Sequence, residues 1–78
     1  MNKVLVVEKF GINYYITRTE AENEPAYGIS VIMKEDPSDA NFAENLFFTE
    51  EEAKRRCEWL SENQVFPVSL HEVLRNVI

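Results

Sequence analysis

The sequence predicts a small α+β domain, an antiparallel β-meander of three or four strands followed by two C-terminal helices packed on one sheet face. Three observations lead there. β-Branched and aromatic residues fill the N-terminal part in short runs parted by turn residues. The hydrophobic period becomes helical at Thr49. Finally, 78 residues leave room for one core, so positions 1–78 form a single domain.

Residues 3–9 are rich in Val, and residues 12–18 mix aromatic with β-branched side chains, so both read as strands. Phe10 and Gly11 part them, and Gly11 can take the positive φ that a tight hairpin demands. Residues 27–34 alternate more cleanly and make the third strand. The stretch 19–25 is polar and acidic and closes on Pro25, the composition of a solvated loop. A second turn cluster spans 36–41, and a short fourth strand follows over 43–48.

Helix signals then take over. Thr49 with Glu52 has the spacing of a capping box, and Ala53, Cys57 and Leu60 share one face of a helix over 50–62. Glu50–Lys54, Glu51–Arg55 and Glu52–Arg56 stand in acid-first i,i+4 order. Pro67 is read as a break before the next element. Ser69 with Glu72 repeats the capping-box spacing, Val68 is placed to staple against Val73, and Leu70, Val73, Leu74, Val77 and Ile78 make the apolar stripe of a helix over 70–77.

Tyr14, Ile16, Ile29, Val31 and Met33 are the natural inward set under these helices. The opposite face is less polar than a wet sheet face should be. One of the pairs Val4/Val6 and Leu5/Val7 must point outward, and Tyr15 and Ile32 share that side. The candidate interface is therefore Leu5, Val7, Tyr15 and Ile32.

Composition removes several classes. The longest purely apolar run is Val4–Val7, too short for a membrane span or a signal-peptide core. One cysteine excludes an internal disulfide and a Cys-rich zinc site. Fourteen acids against eight bases give a net charge of −6, which disfavours binding to a phosphate backbone. No phosphate loop, nucleophile elbow or paired histidine is present. Cys57 and His71 could form a dyad only if brought together in an accessible site, whereas Cys57 lies on the apolar stripe. Asp36, Asp39, Asn41 and Glu44 are oxygen donors near a turn, without the alternation and Gly of a calcium loop. Lys54, Arg55 and Arg56 form the one basic run, each with an acid one turn earlier. No enzyme, cofactor or metal is expected.

Three groups of residues carry a family resemblance: Tyr27-Gly28-Ile29, the helix start Phe48-Thr49-x-x-Glu52, and Val65-x-Pro67-Val68-x-Leu70-x-x-Val73-Leu74. In these the chain resembles a family of short acidic proteins of clostridia and related Firmicutes, known as a domain of unknown function. It departs in having Ser69 where that pattern has His, with His71 displaced. The resemblance implies a bacterial, intracellular, free-standing small protein and assigns no activity. The expected role is a non-catalytic, cytoplasmic protein-interaction or regulatory module that self-associates as a homodimer through the outer sheet face or an edge strand, or binds an unidentified protein partner, with no nucleic acid or membrane partner. The alternative is an acidic inhibitor or nucleic-acid mimic on a basic partner, which requires the acids of 20–24 and 36–39 to gather on one face. A small-ligand-binding domain or enzyme is the least favoured class.

Overall fold

The computed structural model describes residues 2–21 and 24–77. Four strands, β1 (Asn2–Lys9), β2 (Ile12–Ala21), β3 (Glu24–Met33) and β4 (Ala40–Phe47), precede helix α1 (Glu50–Glu62), a 3₁₀ turn (Pro67–Ser69) and helix α2 (Leu70–Val77). The strands pair antiparallel in the order β1-β2-β3-β4. Helix α1 crosses β1, β2 and β3, while α2 and the 3₁₀ turn cover β4, so both helices occupy one face. This is the expected α+β meander.

The core follows the pleat. Ile12, Tyr14 and Ile16 on β2 and Ile29 and Val31 on β3 are buried under Ala53, Cys57 and Leu60 of α1 and Leu70 and Leu74 of α2. Met33 packs against them from the margin. The first hairpin turns on two residues with positive φ, Phe10 at 57° and Gly11 at 72°, the requirement of a type I′ turn.

Four details differ from the sequence reading. First, residues 19–21 and 24–25 of the expected loop continue the ladder, with Thr19 opposite Ala26, Glu20 opposite Pro25 and Ala21 opposite Glu24, while 22 and 23 lie outside the described residues. Pro25 fits because β4 pairs with β3 only from Tyr27 onward, leaving the nitrogen of Pro25 no neighbour to serve. Second, β4 begins at Ala40 rather than 43, within the expected turn. Third, Pro67 starts a helix instead of breaking one: its fixed φ suits the first position of the 3₁₀ turn that leads into α2. Ser69 lies inside that turn, which has no side-chain cap bond, and Val68 is exposed, so neither the second capping box nor its staple forms. Fourth, two of the three expected i,i+4 pairs are not made. The first cap forms as expected and holds Glu52: the Glu52 N–H donates to Thr49 Oγ1 at 3.2 Å, and the Thr49 hydroxyl donates to the Glu52 carboxylate at 3.0 Å. That bond engages Glu52 at the cap, and of the three i,i+4 pairs only Glu51–Arg55 is made, at 4.0 Å.

Candidate interaction surface

Register decides which side chains share the sheet face opposite the helices. Leu5 stands opposite Tyr15, Tyr15 opposite Ser30, and Ser30 opposite Phe42. These four residues form one row across all four strands. Ile32 lies in the next row, between Asn13 and Ala40. Leu5 and Phe42 are 50% and 54% exposed, whereas Tyr15 and Ile32 are half-buried. Lys3 Nζ sits 4.7 Å above the Tyr15 ring, and Asn13 Nδ2 donates to the Tyr15 hydroxyl at 3.4 Å.

Val7 does not belong to this face. The register slips between Leu5 and Val7, so Leu5 opposes Tyr15 but Val7 opposes the buried Tyr14. A strict two-residue alternation would have left Leu5 and Val7 on one side. The bulge at Val6 reverses the phase, and both Val6 and Val7 pack against the core. Phe42 takes the place that sequence reasoning gave to Val7. A fourth strand over 43–48 leaves Phe42 out, because β4 starts three residues earlier, at Ala40; the Ala40-Asn41-Phe42-Ala43 pattern places Phe42 outward once Ala43 is inward.

A second irregularity closes the far end of the face. Between Tyr27 and Ile29, β3 advances two residues while β4 advances four, from Phe47 to Ala43. The extra β4 backbone folds over Gly28, where an added Cβ would overlap the Ala43 carbonyl oxygen and lie 2.8 Å from both Glu44 Cα and Thr17 Oγ1. Asn45 takes φ 57° in this bulge, and the Thr19 hydroxyl donates to its side-chain oxygen at 3.0 Å. Thr17 and Ser30 are buried on this side, although no helix covers it.

The face carries charges of both signs: Lys3 and Glu8 lie on β1, Glu24 shares the β3 side of Ser30 and Ile32, and Lys34 bonds Glu8 at 3.1 Å. The acids of the two loops lie apart: Glu20 and Glu24 close the β2–β3 hairpin at one end of β3, while Asp36 and Asp39 follow the other end. Glu22 lies outside the described residues.

The groups that invited chemistry are placed separately. The Cys57 thiol is buried against β2, donating to the Tyr15 carbonyl at 3.4 Å, and burial pushes its pKa up to about 12, with Glu58 adding to the shift. Such a thiol is no nucleophile at neutral pH. His71 is exposed on α2 with Nε2 3.2 Å from Asn41 Oδ1, so its partner is on β4 and not on α1. Tyr14 donates to the Val65 carbonyl at 2.9 Å, and burial raises its pKa to about 12, reinforced by Cys57. In the 36–41 turn, Asp36 accepts from the N–H and hydroxyl of Ser38, and the Asn41 amide donates to the Pro67 carbonyl. No group of three or more His, Cys, Asp or Glu able to hold a metal occurs among the described residues, and no helix there is long and apolar enough to cross a membrane.

A family model, Family of unknown function (DUF6514), matches residues 3–78. No curated protein and no solved structure matches the chain.

Proposed function

The chain belongs to DUF6514, a family of unknown function, and from that premise we propose that it is a non-catalytic interaction module whose outer sheet face pairs with the same face of a second copy. The observation that carries this is the row Leu5–Tyr15–Ser30–Phe42 with Ile32 beside it, apolar and aromatic apart from the buried Ser30, spanning four strands and uncovered by either helix.

Two further features favour face stacking. Edge pairing is hindered on both sides. β1 carries Lys3, Lys9 and the Val6 bulge, and β4 carries the larger bulge around Asn45, devices that blunt an edge. Lys34 bonds Glu8 on this side, which tempers the repulsion that −6 would impose between two copies. Glu20 and Glu24 at one end of β3 and Asp36 and Asp39 beyond the other favour face pairing over the acidic-mimic alternative. A free buried cysteine fits a reducing compartment, and a cytoplasmic site is part of the proposal.

Four strands about 4.8 Å apart, taken over the eight-residue length of β1 and β4 at about 3.3 Å per residue, make a face of roughly 500 Å². Two such faces bury about 1,000 Å² in total, the size of a weak, transient interface. The test is an NMR dilution series on the full chain. Concentration-dependent amide shifts should concentrate at Leu5, Tyr15, Ser30, Ile32 and Phe42, and vanish in the Leu5→Glu, Phe42→Glu double variant. Val68→Glu, on an exposed residue of the helical side, should leave them intact. Shifts confined to the helices or to β1 alone would refute the reading.

A further inference from the structure

We propose that the cleft between the end of β4 and α1 is a second, independent binding site that takes a carboxylate carried by a partner peptide, with Arg56 as its anion-binding group. The cleft has a volume of about 380 Å³ and is lined by Phe47, Glu52, Arg55, Arg56 and Trp59. Its apolar walls are the ring of Phe47 from β4 and the indole of Trp59, both only partly buried against the core. The Arg56 guanidinium carbon lies 5.5 Å from the centre of the Trp59 ring, a cation–π contact that holds the cation beside the cleft.

What marks this arginine is that its charge is unspent. Glu52, the acid one turn earlier, accepts from the Thr49 hydroxyl at 3.0 Å and makes no ion pair with Arg56. Arg55 next to it does pair, with Glu51 at 4.0 Å. Among the described residues Arg56 has no ion pair, and its buried Nε has no hydrogen-bond partner. An unsatisfied guanidinium N–H is costly, and a planar fork held on an aromatic ring suits the two oxygens of a carboxylate. Trp, Phe and Arg around one depression is also the composition found at the energetic centre of protein interfaces.

The negative wall sets the selectivity. Glu52 lines the same cleft, so a doubly charged phosphate meets more repulsion than a single carboxylate does, and the net charge of −6 opposes any densely anionic ligand. A carboxylate with an apolar group two or three bonds away would place its oxygens on Arg56 and its apolar part between Phe47 and Trp59.

The probe is 3-phenylpropionate, titrated into the full chain while the Trp59 indole N–H and the Arg56 Nε–H are followed by NMR. Its neutral amide and inorganic phosphate serve as comparisons. The carboxylate should give saturable shifts at both side chains with a millimolar Kd, the strength expected of so small a ligand. The amide and phosphate should each bind at least about tenfold more weakly. Arg56→Gln and Arg56→Lys should each weaken the carboxylate by about tenfold or more, the second because a point charge lacks the planar fork. Equal binding of acid and amide, preference for phosphate, or shifts that bypass Trp59 would overturn the proposal. Should either variant fail to fold, the acid–amide comparison on the unaltered chain still decides it.

Discussion

Gly28→Ala tests how β4 is built. The added methyl would overlap the Ala43 carbonyl oxygen and lie 2.8 Å from Glu44 Cα, both backbone atoms of the bulge. Carbon atoms settle at about 3.5 Å or more, so β4 must retreat by roughly 0.7 Å or further. Overpacking of this kind costs about 2–3 kcal/mol, and loosening one or two ladder hydrogen bonds adds about 1–2. The smaller entropy of the unfolded alanine chain returns up to about 1 kcal/mol, leaving a loss near 3. For 78 residues at about 2.1 cal/mol/K each, that lowers Tm by about 18 °C. The assay is thermal unfolding followed by circular dichroism. Gly11→Ala is the comparison, because Gly11 has φ 72° with nothing within 4 Å of an added Cβ. It should lose only the conformational cost, about 1 kcal/mol or 6 °C. A Gly28→Ala melt within about 5 °C of the parent would refute the close crossing of β4 over β3.

Other outcomes follow from the same geometry. Phe10 and Gln64 hold φ of 57° and 50° without being glycine, so Phe10→Asn and Gln64→Gly should each raise Tm by several degrees, about 1 kcal/mol apiece. Tyr14→Phe leaves the buried Val65 carbonyl without its donor and should cost about 1–3 kcal/mol in urea unfolding. The raised pKa values of Cys57 and Tyr14 mean that the fold holds both protons more tightly than the unfolded chain does. Stability is therefore full below their ordinary values of 9.0 and 10.0 and declines as pH climbs toward about 12. Urea midpoints between pH 7 and 11 should fall above pH 9, and Cys57→Ala should delay the fall to about pH 10. A midpoint independent of pH, or one rising with it, would contradict the burial of both groups.

Much of this architecture is legible in the residues, for identifiable reasons. The β2 and β3 inward sets follow from alternation alone, since both strands are central and regular. The Thr49–Glu52 cap is likewise a local bond between residues at fixed spacing. What escaped depends on partners distant in sequence. The Val6 bulge has no composition of its own, yet it moves Val7 from the outer face to the core and changes a candidate interface residue. Helix α1 ends in a Schellman turn, with Gln64 N–H to Ser61 O at 3.2 Å and Val65 N–H to Leu60 O at 3.0 Å; a glutamine stands where glycine would have announced it. For Arg56, spacing offers Glu52 two partners, Thr49 and Arg56, and does not decide between them; in the fold the cap holds Glu52.

The central claim is that the outer sheet face joins two copies. Its most direct test is the solution mass of the unaltered chain by light scattering from about 2 to 200 µM, a range suited to a weak, transient interface. The account expects the mass to rise from 9.1 kDa toward twice that value across the range, and the Leu5→Glu, Phe42→Glu variant to stay at 9.1 kDa throughout. A mass fixed at 9.1 kDa at every concentration, or a dimer that survives both substitutions, would contradict it.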